Sequence, residues 1–91
     1  MSVDVDEDFL YVTNSLRRMD VMYVLGAVDF AKNNEIADIL CIGTAHTSTI
    51  TKDLEKHNLL ESKKIQNYKI YSLTDKGKDM LKKLKDYHGI E

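Results

Sequence analysis

Apolar residues recur every three or four positions over most of this chain and alternate in one region after Leu59. Phe9, Val12 and Leu16 predict a first helix over 9–18, closing on Arg17 and Arg18. Acids ahead of that helix and arginines at its end both suit the helix dipole. Asp20 is placed to cap a second helix, whose stripe Val21, Val24, Leu25 and Val28 carries it to Lys32. Asn33-Asn34 reads as a break. A short third helix, Glu35 to Leu40, sets Ile36, Ala37 and Leu40 on one face. Cys41-Ile42-Gly43 is too short and too poor in helix formers to continue it. A fourth helix runs from Thr44 to His57, with Thr47, Ile50, Thr51 and Leu54 inward and Thr44, Ala45, Ser48, Thr49 and Lys52 outward. Asn58 suits a left-handed residue at its C-terminal end.

The alternating region predicts a hairpin. Leu60 to Ile65 and Tyr68 to Leu73 are the strands and Gln66-Asn67 the turn. Lys69, Tyr71 and Leu73 share one face of the second strand; Tyr68, Ile70 and Ser72 share the other. Thr74 then caps a fifth helix reaching Tyr87, with Met80, Leu81, Leu84 and Tyr87 apolar and Gly89 ending it. Gly77 falls in its first turn, where a glycine costs a helix least. The order of elements predicts an α+β, mainly α fold: a winged helix-turn-helix with additional N- and C-terminal helices, one domain over residues 1–91. Residues 1–8 are expected to form a frayed acidic tail.

Two motifs sharpen that expectation. The run from Glu35 to Glu61, EIADILCIGTAHTSTITKDLEKHNLLE, resembles without a gap the helix-turn-helix of bacterial and archaeal winged-helix repressors of the MarR-like and PadR-like kind. Leu73-Thr74-Asp75-Lys76-Gly77-Lys78 resembles the Leu-Thr-x-x-Gly-Lys junction after the wing in the same families. Together the resemblance covers Asp20 to Tyr87. It implies a sequence-specific partner, double-stranded DNA, and a role in transcription regulation. Two departures stand out: Cys41 holds a turn position usually occupied by glycine, and Thr47 and Thr51 replace inward aliphatic residues.

The chemistry of these residues leads the same way. A tight turn between short helices projects the N-terminal half of the second one outward. Thr44, Ala45, Ser48 and Thr49 are small enough to let a backbone approach a groove, and His46 lies among them. Lys52, one turn further along, reaches toward phosphates. Lys63, Lys64, Asn67 and Lys69 cluster around the hairpin tip, where a wing meets a DNA backbone. Arg17 and Arg18 form a third basic point, as dipole partners or as phosphate contacts. Tyr68 and Tyr71 read as wing-base core. The stripes Phe9, Val12, Leu16 and Met80, Leu81, Leu84, Tyr87 exceed what one winged helix needs, so helices 9–18 and 74–88 are candidates for a homodimer interface. A two-fold dimer would place its recognition helices about 34 Å apart, on an inverted repeat with half-sites about ten base pairs apart.

Charge changes the picture locally. The 91 residues carry 13 basic and 15 acidic side chains, a net charge of −2. Asp4, Asp6, Glu7 and Asp8 concentrate acid at the start, and from Glu61 to Lys85 eight lysines face three acids. A basic C-terminal half suits an anionic partner. One cysteine excludes an intrachain disulfide. No apolar run is long enough to span a bilayer, so no membrane association is expected and the location reads as cytoplasmic. Cys41, His46, His57 and His88 lack metal-ligand spacing, and no phosphate loop or nucleophile-base signature is present. No metal, cofactor or enzymatic activity is expected. Frequent lysine and isoleucine in a short chain would suit a thermophilic archaeon or its virus. The alternative reading is a winged-helix module that docks a protein through the same exposed helix, with Asp53 and Glu55 nearby.

Overall fold

The computed structural model describes residues 6–89. The elements run α1 (Glu7–Thr13), α2 (Leu16–Val28), β1 (Phe30–Lys32), α3 (Asn33–Leu40), α4 (Thr44–Lys56), β2 (Leu60–Ile65), β3 (Tyr68–Leu73) and α5 (Asp75–His88). This is a winged helix-turn-helix with a helix added at each end. α3 and α4 form the helix-turn-helix, and β2–β3 is the wing. Both wing strands have the bounds their alternation predicts, in the register Leu60↔Leu73 to Ile65↔Tyr68.

The N-terminal region departs from expectation. Helix 9–18 is two pieces. Asn14 ends α1, and the Ser15 side chain accepts from the Arg18 backbone N–H at 3.3 Å, starting α2. Ser15, and not Asp20, is therefore the cap. Arg17 and Arg18 lie in the first turn of α2, at its positive end, so the dipole explanation fails. Arg17 pairs with Asp20 at 3.4 Å, and Arg18 reaches back to the Tyr11 carbonyl at 2.8 Å. Nor are residues 6–8 a tail: Asp6 caps α1 by accepting from the Phe9 N–H at 2.7 Å, and Glu7 and Asp8 are helical. Residues 1–5 of the expected tail lie outside the described residues.

α2 also stops before Lys32. Asp29 follows it at φ 71° and ψ −44°, turning the chain into β1. β1 pairs antiparallel with β3 from Phe30↔Ser72 to Lys32↔Ile70, so the sheet has three strands in the order β1-β3-β2. Three residues are too few to show alternation in sequence; Ala31 points inward and is buried, while Phe30 is 62% exposed. Asn33-Asn34 is no break but the first turn of α3. The Lys32 backbone N–H donates to the Glu35 carboxylate at 2.8 Å, closing that helix start.

The core is assembled around α2. Its Val21, Met22 and Leu25 are buried with Ile36 of α3, Ile50 and Leu54 of α4, Leu59, Leu60, Tyr71 and Leu73 around the wing, and the inner faces of α1 and α5. Here the expected dimer stripes are largely consumed. Phe9, Val12, Met80, Leu81 and Leu84 are each at most 7% exposed within one chain. Only Leu16, at 67%, and Tyr87, at 59%, keep surface for a second copy. A small domain needs its terminal helices to close its own core. Gly77 has a packing reason as well: a Cβ there would collide with the Leu59 carbonyl oxygen, so glycine lets α5 start against the junction between α4 and β2.

Candidate nucleic-acid interface

The turn between α3 and α4 is built from backbone. The Ile42 N–H bonds the Ala37 carbonyl at 3.0 Å and the Cys41 N–H bonds the Asp38 carbonyl at 3.3 Å, the paired bonds of a Schellman motif. Cys41 occupies its left-handed position, at φ 58° and ψ 42°. Gly43 does not share that strain: it is extended at φ −69° and ψ 148° and is the N-cap of α4, with nothing within 4 Å of where a Cβ would lie. The other end of α4 repeats the device. Asn58 is left-handed at φ 62°, and the Leu59 N–H bonds the Leu54 carbonyl at 3.0 Å.

Thr47 and Thr51 are fully buried, in the predicted register. The Thr47 hydroxyl donates to the Gly43 carbonyl at 2.9 Å. The Thr51 hydroxyl lies 3.2 Å from the Asn33 side-chain oxygen and 3.1 Å from the Ser48 carbonyl. The Asn33 amide nitrogen in turn donates to the Thr44 carbonyl at 3.0 Å. One side chain thus bolts the start of α3 to the first turn of α4. The opposite face of α4 is open: Thr44, Ala45, His46, Thr49 and Lys52 are exposed and Ser48 half-buried.

A cleft of about 370 Å³ lies between α4 and the wing. It collects Thr44, Ser48 and Lys52 of the predicted set with Lys69 from β3. Lys32, Asn33, Asn34 and Tyr68 line it too, and sequence reasoning missed them as site residues. Tyr68 is exposed, not core, and the Lys32 ammonium sits 4.6 Å from its ring centroid. Tyr71 is core, as expected. Lys64 lies directly across the hairpin from Lys69, a like-charge pair on one face. Lys63 turns to the outer face of the sheet, beside Phe30, Ile65 and Ile70, and Asn67 is exposed in the hairpin turn. Among the described residues, Lys32, Lys52, Lys63, Lys64 and Lys69 have no carboxylate within 4.0 Å. Arg17 and Arg18 are not in the cleft.

The far end of α4 is held by a charged cluster. Asp8 of α1 contacts the His57 ring at 3.0 Å and the Lys76 ammonium at 2.6 Å. Those partners, Lys76 foremost, hold its carboxyl below the usual carboxylate range. Tyr11 stacks on His57 at 3.8 Å between centroids, and the Arg18 guanidinium lies 3.9 Å from the Tyr11 ring centroid. Burial pushes the Tyr11 phenol above its ordinary value. Of the acids near the exposed helix, Glu55 accepts from the Ser62 hydroxyl at 2.7 Å. No group of three or more His, Cys, Asp or Glu among the described residues is placed to hold a metal ion. No helix among them is long and apolar enough to cross a membrane.

No protein-family profile matches the sequence, and no curated protein matches it. Solved structures do match its fold. A mutant of MepR from S. aureus, bound to an oligodeoxyribonucleotide, aligns at TM-score 0.81 and 17% identity, over 91% of this chain and 64% of that one. YusO from Bacillus subtilis aligns at 0.76 and 19%, over 84% and 59%. A mutant of ZitR from Lactococcus lactis aligns at 0.74 and 24%, over 82% and 53%. The fold is that of the winged helix in MarR-type regulators. The chain spans between about half and about two thirds of the length of these structures.

Proposed function

We propose that this chain binds double-stranded DNA sequence-specifically and regulates transcription. One observation carries the reading: an exposed helix face of small polar side chains borders a cleft lined by lysines with no carboxylate within 4.0 Å among the described residues. α4 would enter the major groove, with Thr44, Ala45, His46, Ser48 and Thr49 toward base edges and Lys52 toward the backbone. Its cap, Gly43, offers no side-chain acceptor, so the first N–H groups of α4 also favour phosphate oxygens. Lys63, Lys64, Asn67 and Lys69 would place the wing on the flanking backbone. Lys64 and Lys69 repel each other across the hairpin, a cost that an intervening anion removes. The likeness to a protein bound to an oligodeoxyribonucleotide supports the same reading.

The active species on this reading is a homodimer, formed through exposed apolar residues: Leu10 of α1, Leu16 at the start of α2 and Tyr87 of α5. Selection of bound duplexes from a random-sequence library tests the whole proposal. It should enrich an inverted repeat with half-site centres about ten base pairs apart. Ser48→Ala or Thr49→Ala should alter the enriched bases. No retention of any duplex at low salt would refute it.

A further inference from the structure

The cleft between α4 and the wing has a use that neither element supplies alone. We infer that it seats one phosphodiester of the DNA backbone, and that Lys32, ahead of α3, is a positioning residue for that phosphate. The inference rests on the DNA-binding reading above. When a helix lies in the major groove and a hairpin reaches the adjacent minor groove, the strand dividing the two grooves must pass between them. The cleft is the gap that strand crosses. Three lysines from separate elements line it: Lys52 from α4, Lys69 from β3 and Lys32 from β1.

Lys32 is prepared for this role. Of the two acids three residues away in sequence, Asp29 and Glu35, the latter has a carboxylate oxygen engaged by the Lys32 backbone N–H at 2.8 Å, and no carboxylate among the described residues lies within 4.0 Å of the ammonium. The Tyr68 ring, which also lines the cleft, lies 4.6 Å from that ammonium and attracts it without neutralising it. Three N–H donors on one ammonium let it face the ring and still contact an oxygen. Asn33, whose amide fastens α3 to α4, fixes the spacing of the walls. A phosphate here would set the depth of α4 in its groove while reading no base.

The test is fluorescence anisotropy with a labelled mixed-sequence duplex of about two helical turns, over a potassium chloride series. Replacing Lys32 by Met keeps the stem over Tyr68 and removes the charge. One lost phosphate contact should reduce the slope of log affinity against log salt by about 0.9. That slope corresponds to about eightfold weaker binding at ~0.1 M salt, converging on the wild type toward ~1 M. Lys32→Arg should keep the wild-type slope, and Lys82→Met, on α5 outside the cleft, should leave it unchanged. If Lys32→Met destabilises the fold, Lys32→Gln gives the same readout. An unchanged slope and affinity in a folded Lys32→Met protein overturns the inference while DNA binding stands. So does an equal loss in Lys82→Met. Failure of the wild type to bind any duplex removes the DNA reading itself, and this inference with it.

Discussion

Cys41 provides the most direct check on the turn that aims α4. Its backbone is left-handed at φ 58° and ψ 42°, and its side chain is exposed. An L-residue there costs roughly 1–2 kcal/mol. Glycine removes that cost but gives up about 0.4–1 kcal/mol through the freer unfolded chain. The one polar contact of the thiol, 3.8 Å from the Asp38 carbonyl, is weak. Cys41→Gly should therefore stabilise the domain by about 0.5–1 kcal/mol, raising the melting temperature by roughly 3–6 °C at this size. Cys41→Ala keeps the Cβ and should stay within about 0.5 kcal/mol of the parent. Cys41→Val adds β-branching in a region where it is rarely tolerated and should cost about 1 kcal/mol or more. Thermal denaturation followed by circular dichroism ranks the series. A glycine variant no more stable than cysteine, or a valine variant equal to it, would show that the turn is not left-handed at this residue.

Two further perturbations separate buried groups that look alike. The Thr47 hydroxyl bonds a carbonyl already taken by its own backbone N–H, so Thr47→Val should be nearly neutral, whereas Thr51→Val deprives Asn33 of a partner and should cost about 1 kcal/mol in urea denaturation; equal effects would refute the distinction. Asp8 predicts an acid limb. Its folded carboxyl is held below the ordinary value by Lys76 and His57, so its contribution is fully present above about pH 5. That contribution is lost as pH falls through ~3.9 toward the folded value, where the unfolded chain takes up the proton first. Asp8→Asn should lower the melting temperature at neutral pH and flatten its decline between about pH 5 and pH 2; an unchanged acid limb would count against the cluster.

The sequence is legible where a long periodic pattern meets a specific local signal. The wing shows it best: six-residue alternation set both strands to the residue. Inward Thr47 and Thr51 were placed correctly by periodicity, although their chemistry gave no hint of Asn33, 18 residues before Thr51. Illegible features are those decided by tertiary contact. Phe30–Lys32 becomes a strand only because β3 offers it an edge. Ser15 outcompetes Asp20 as a cap because the chain must turn after Val12 is buried. Lys32 and Tyr68 join the cleft through that same edge pairing, so a reading that runs α2 to Lys32 hides them. The terminal stripes misled for a related reason: a periodic apolar face signals burial but does not say whether the partner is the same chain or another copy.

Net charge hides how this fold sorts its ions. Asp6 caps α1 and lies 3.5 Å from Lys83, and Asp8 joins α1 to α4 and α5. Asp20 turns to Arg17, Glu35 closes the start of α3, and Glu55 ties α4 to β2. These acids are engaged within and between elements, while the lysines around the cleft and wing have no carboxylate within 4.0 Å among the described residues. A chain with a net charge of −2 thus presents one locally cationic face. Ion pairs this exposed contribute little to stability and are weakened by salt. Phosphate contacts are weakened far more steeply, because each releases a condensed counterion. If the proposed DNA binding holds, moderate salt should therefore take the protein off DNA well before it loosens the helices that aim α4.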